Sequence, residues 1–180
     1  MGEETAMEGL VIFESMYGNT AHIAQAIGRG LQEHGVATRV VGVGDVEPES
    51  VDVDLLVVGG PTHAHGMSRE ATRVSARKDE KNTYEQPTVG PGLRDWVDRL
   101  PDGTRAAAAF DTRIDASPVL TGSAAKGIAR LLSRRGYHLV VPRESFLVNK
   151  ENRLAAGELN RAESWGAALA IEFAAHPVGV

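Results

Sequence analysis

The sequence predicts an α/β protein, a doubly wound parallel sheet covered by helices on both faces in three α/β/α layers. Three observations predict it. Apolar runs alternate with helical patterns along the whole chain, the sequence signature of a sheet wrapped on two sides. Residues 10–13 and 55–58 are near-continuously apolar, as expected of strands buried on both faces. The first of these runs stops at a short turn bearing hydroxyls and a glycine, and a helical pattern starts at once.

Strand one is expected at residues 9–14 and the first helix at 19–34, where Ala21, Ile23, Ala24, Ile27 and Leu31 recur at helical spacing before Gly35 stops it. Strand two is expected at 38–43, closed by a polar turn at 45–50 that carries Pro48. Strand three covers 54–59 and strand four 105–110; the alanines of strand four carry no periodicity, so its place between helices supports it. Leu93, Trp96, Val97 and Leu100 fall at helical spacing, which makes Trp96 a core residue. A helix at 123–135, with Ser123 as its cap and Gly136 beyond its end, precedes a fifth strand at 137–148 interrupted by Pro142. The last helix is expected at 156–174, with Trp165, Leu169 and Phe173 facing inward. Residues 1–8 read as a flexible lead to a domain spanning 9–175. Residues 67–91 read as an irregular insertion, helical at 68–78 and then polar, that stands either beside a ligand mouth or on the surface.

Composition narrows the chemistry. The chain has 180 residues, 42% of them hydrophobic, enough for one domain with a sizeable core. A net charge of −5 argues against nucleic acid and anionic membrane surfaces as partners. There is no cysteine, so disulfides, thiolate metal sites and cysteine nucleophiles are excluded, and redox chemistry needs a bound cofactor. The first residues are acidic, unlike a signal peptide, and no run approaches the ~20 apolar residues of a membrane span, so a cytoplasmic protein is expected.

The turn Ser15-Met16-Tyr17-Gly18-Asn19-Thr20 carries the functional signal. A strand, a tight loop and a helix N-terminus aim several backbone N–H groups at one point, where the helix dipole favours negative charge. Ser15 and Thr20 add hydroxyls, Asn19 an amide, and Gly18 the freedom to turn. The loop holds no Lys or Arg and lacks both the triphosphate-loop and three-glycine dinucleotide fingerprints. A phosphate monoester fits it best.

This loop resembles the Ser/Thr-x-Thr/Tyr-Gly-x-Thr phosphate loop of flavodoxins and flavodoxin-like quinone reductases, which bind FMN. The resemblance runs from about Gly9 to the last helix and is weakest between Met67 and Gly90. It implies a flavodoxin-like order 2-1-3-4-5 for the five strands, with the ligand crevice at the carboxyl ends of strands one, three and four. Gly59-Gly60-Pro61-Thr62 matches the family segment that runs along one face of the isoalloxazine, and His63, Ala64, His65 and Gly66 continue it. Flavodoxins often place an aromatic ring here. This chain has two histidines, read as flavin contacts in preference to metal ligands or solvated side chains. The resemblance sets Asp111, Thr112 and Arg113 against the other side of the ring, Arg113 favouring negative charge on the reduced flavin and Asp111 opposing it.

The implied cofactor is FMN, and no residue is assigned a catalytic or metal-binding role. The function expected first is an electron-transfer protein whose acidic surface steers a redox partner protein. The alternative is an FMN-dependent NAD(P)H:quinone-type oxidoreductase with a small quinone-like or nicotinamide substrate; a homo-oligomer would complete its site. A third reading is a flavodoxin-fold interaction module without flavin.

Overall fold

The computed structural model describes residues 6–63, 66–84 and 92–176. Its central sheet follows the expected order. β1 (Met7–Phe13), β2 (Val36–Gly42), β3 (Leu55–His63) and β5 (Ala106–Ile114) lie parallel in the sequence β2-β1-β3-β5. The sheet holds seven strands where five were expected, for two reasons. The fifth strand is split into β6 (His138–Leu139) and β7 (Glu144–Val148), both parallel to β5 at different heights. Pro142 lies in the gap; it has no N–H to give to the ladder. The second addition is β4 (Gly66–Met67), two residues that turn back antiparallel on Thr62 and His63.

β1 begins at Met7, earlier than expected, because Met7 and Glu8 already pair with Val36 and Ala37. β3 and β5 run four residues past their expected ends. Their extensions hold Pro61, Thr62, His63, Asp111, Thr112 and Arg113 in strand and not in loop.

Two apolar layers flank the sheet. On one face Leu10, Ile12, Leu56, Val58, Ala107 and Ala109 pack under α3 (Leu93–Asp98) and α5 (Ala124–Arg134), with Trp96 fully buried among them. On the other, Val11, Leu55, Val57, Ala108 and Phe110 meet α1 (Asn19–Glu33) and α6 (Glu158–Ala175). Phe110, Phe146 and Trp165 close that side as an edge-to-face trio, centroids 6.2–6.4 Å apart, a preferred aromatic geometry. α1 and α6 touch backbone to backbone. A methyl on Gly30 would overlap the Glu163 carbonyl oxygen, and one on Gly166 the Ile27 carbonyl oxygen. Only glycine permits that approach.

The remaining helices are α2 (Glu70–Lys78) and the four-residue α4 (Pro118–Thr121) after β5. Among the described residues, no helix is long and apolar enough to cross a membrane.

Candidate functional site

The parallel strands deliver their carboxyl ends to one edge of the sheet. There a cleft of about 400 Å3 opens between five chain segments, one of which, the end of α2, touches it only through Asp79. The turn before α1 contributes Met16, Tyr17, Asn19 and Thr20, and the end of β3 contributes Pro61, Thr62 and His63. Thr112, Arg113 and Ile114 come from the end of β5, and Val148, Asn149, Lys150 and Asn152 from β7 and the turn after it.

The start of α1 is built to receive an anion. Gly18 stands at the helix N-cap with φ 90°, a left-handed conformation that favours glycine. No side chain caps the first turn, and no acidic residue lies in it. The contrast with α5 is direct. There the Ala124 N–H reaches Thr62 Oγ1 at 2.9 Å, the Ala125 N–H reaches Asp111 Oδ2 at 2.9 Å, and the Lys126 N–H reaches Ser123 Oγ at 3.2 Å. The protein satisfies the N-terminus of α5 with its own oxygens, and among the described residues no side chain does so for α1. The first turn of α1 is left open to an external acceptor.

The side chains of the loop are spent largely on its own shape. Ser15 Oγ accepts the Gly18 N–H at 3.1 Å and is bonded to the Tyr84 phenol. The Asn19 amide donates to the carbonyl of Asn152 at 2.8 Å and to its side-chain oxygen at 3.2 Å. Asn19 lines the cleft all the same, while Ser15 lies outside the lining. Their work is to fix the loop. Thr20, fully buried, shares a 2.8 Å bond with Thr112. Two hydroxyls joined by one such bond keep one O–H over, so the pair retains a donor. The loop has no cation of its own, yet Lys150 reaches the same cleft from the β7–α6 turn.

The segment after β3 stands beside this loop. Its turn places Asn82 Nδ2 2.7 Å from the Met16 carbonyl, Asp79 as acceptor of the Tyr17 hydroxyl at 3.2 Å, and the Tyr84 ring against Gly18. Beneath it lies a buried carboxylate that sequence reasoning did not single out. Glu14 accepts the Ser68 hydroxyl on one oxygen and the Leu93 N–H, at 2.8 Å, on the other. It thereby joins the chain entering the segment to the helix that follows it. The only sequence signal was an acid at the carboxyl end of an apolar strand.

Asp111 is a correction. It does not line the cleft but is fully buried, its Oδ2 accepting from Thr62, Ser123 and Ala125. Because β5 continues through this position, strand alternation sends Asp111 toward α5 and Thr112 toward α1. Thr62 is drawn the same way, its hydroxyl bridging Asp111 and the start of α5. Arg113 does line the cleft, tied back to its own turn by a 2.7 Å bond to the Ala116 carbonyl. Gly66 pairs with His63 in β4 and lies outside the lining; Ala64 and His65 fall outside the described residues.

His63 is largely enclosed, and burial pulls its imidazole below the usual histidine range, with the Glu14 carboxylate opposing the shift. Burial thus favours its neutral form. Among the described residues, no three His, Asp or Glu side chains gather as metal ligands. Ile114, half exposed at the cleft mouth, is an apolar wall that sequence reasoning missed. Pro61 and His63 on one strand end and Ile114 on the other give the cleft flat, weakly polar sides, which suit a planar ring.

Known proteins share this fold. Residues 11–95 match the flavodoxin family model. No curated protein matches the sequence. A flavodoxin from the domain Archaea has the same fold, with 20% identity and a TM-score of 0.65 over 92% of this chain and 98% of that one. Oxidised flavodoxin 1 from Bacillus cereus gives 20% identity and a TM-score of 0.63, covering 94% and 98%. The WrbA-like flavodoxin from Agrobacterium tumefaciens gives 17% and 0.57, covering 95% and 99%. Residues 11–95 are thus similar to flavodoxins in sequence, and the chain shares the flavodoxin fold along its length.

Proposed function

We propose that the cleft binds FMN and that the protein is an electron-transfer flavoprotein. The observation that carries this reading is the uncapped, acid-free start of α1 opening on a 400 Å3 cleft at the carboxyl edge of the sheet. The first-turn N–H groups of α1, with the spare hydroxyl of the Thr20–Thr112 pair, would hold the phosphate. Pro61 and His63 would flank one side of the ring and Thr112, Arg113 and Ile114 the other. When bound, FMN supplies one- and two-electron redox chemistry.

The chain's own part is positioning and tuning. Arg113 adds positive charge at the cleft, and this favours an electron-rich ring. His63, its neutral form favoured by burial, presents a ring nitrogen that exchanges a proton without carrying a standing charge. A redox partner protein is the expected counterpart. Apolar Val119 and Leu120, largely exposed on α4 just beyond the Ile114 mouth, also suit a quinone-like acceptor, which favours the oxidoreductase as second reading.

The test is the visible spectrum of the purified chain and its quenching of added FMN fluorescence. A colourless protein that leaves FMN fluorescence untouched would favour an interaction module without flavin. Anaerobic stopped-flow then separates the two flavin readings. Rapid bleaching of the flavin band by NADH or NADPH alone marks the oxidoreductase, and no bleaching without a reductase protein marks the carrier.

A further inference from the structure

A second hollow, of about 690 Å3, adjoins the cleft on the far side of the phosphate loop. The two meet at Tyr17, Asp79, Lys150 and Asn152, which line both. From that junction the hollow leads away from Pro61, His63 and Ile114, none of which lines it. Three cations do: Lys81, Lys150 and Arg153. Among the described residues none of the three has an ion-pair partner, so their charge is open to a ligand. Two carboxylates share the hollow, and one is already engaged. Asp79 accepts the Tyr17 hydroxyl and the Lys81 N–H. In a chain whose net charge is −5, three cations against the two carboxylates Asp79 and Glu151 leave this depression with a small local excess of positive charge.

A phosphate monoester held by the N–H groups of α1 has no need of this hollow. A second phosphate continuing outward from the same point would enter it. We propose that the hollow binds the adenylate end of an adenine nucleotide, its phosphate next to the flavin phosphate, with Lys81, Lys150 and Arg153 as counter-charges and the Tyr17 ring as a surface for the base. The proposal rests on the flavin reading for its register. The nucleotide has two possible sources. It is the adenylate half of FAD, continuous with the flavin, or a separate dinucleotide bound beside FMN.

The experiment uses the full chain and its Lys81→Gln/Arg153→Gln variant. Both replaced side chains are exposed, and both line the hollow without lining the cleft. FMN and FAD are titrated into flavin-stripped protein by fluorescence, and ADP into FMN-loaded protein by calorimetry. If FAD is the source, it binds about tenfold tighter than FMN, and the variant loses that advantage. If the nucleotide is separate, ADP binds the FMN-loaded protein, and the variant weakens it about tenfold while FMN affinity changes less than about twofold. The proposal is overturned if FAD shows no advantage and ADP does not bind, or if the variant changes neither. Failure of FMN itself to bind overturns the flavin reading separately. ADP binding to flavin-free protein that the variant abolishes would then still uphold the hollow.

Discussion

Thr20 and Thr112, ninety-two positions apart, share a buried 2.8 Å hydrogen bond that ties the first turn of α1 to the end of β5. Two walls of the cleft, one expected to take the phosphate and one to face the ring, are thus a single connected unit.

Replacing Thr20 with Val removes the shared bond and the pair's spare donor together. FMN binding is expected to weaken by about 1–3 kcal/mol, read from the dissociation constant by fluorescence quenching. Thr112→Val should weaken it too, and the double variant should fall short of the sum of the singles. An unchanged FMN affinity for Thr20→Val would place the phosphate elsewhere.

Gly30→Ala sets a methyl against the Glu163 carbonyl where α1 and α6 touch. Since both neighbours are backbone, the helices must part, and a loss of about 2–3 kcal/mol in unfolding free energy is expected. Urea denaturation measures it. Gly35→Ala is the useful control. It shares a positive φ with other turn glycines but meets nothing within 4 Å, so its cost is conformational alone, about 1 kcal/mol.

Glu14→Gln leaves an amide where two donors converge. The amide oxygen keeps the Leu93 N–H while the Ser68 hydroxyl must turn round to accept from the NH2 group, so two charge-assisted bonds become neutral ones, at a cost of about 1 kcal/mol. Limited proteolysis between residues 67 and 91 should accelerate in this variant relative to the rest of the chain. The same change removes the carboxylate that opposes the shift of His63, so the imidazole should titrate still lower by NMR.

His63 also sets a pH dependence. Its folded pKa is depressed by burial, so the unfolded chain takes up the proton first on acidification. This group's contribution to stability is therefore complete above its ordinary value of 6.5, falls as pH drops below that, and levels off once the folded-state value is passed. Denaturation midpoints of the native chain and of His63→Gln across this window should differ in slope. Parallel curves would show that His63 carries no such linkage.

The backbone plan was legible because it is local. Apolar runs at 10–13 and 55–58, Gly35 beyond the first helix and Ser123 ahead of the fifth each announce an element within a few residues, and the strand order follows once the alternation is read. What lay hidden is long-range. The Glu14 contacts span 54 and 79 positions, and the Asn19–Asn152 bonds span 133. No spacing in the chain encodes them. Asp111 illustrates a subtler failure. It lies one residue past the end expected for strand four, but β5 continues through it, and the two-residue period of a strand turns it away from the cleft.

The backbone contact at Gly30 and Gly166 reaches further than packing. α1 and α6 are each preceded by a turn that borders the cleft, and Asn19 and Asn152 clasp those turns to one another. With both helices locked, this half of the cavity has little freedom to breathe. A guest arriving or leaving would be admitted by displacement of the opposite bank, at His63 and from Met67 through Tyr84, which Glu14 moors from below.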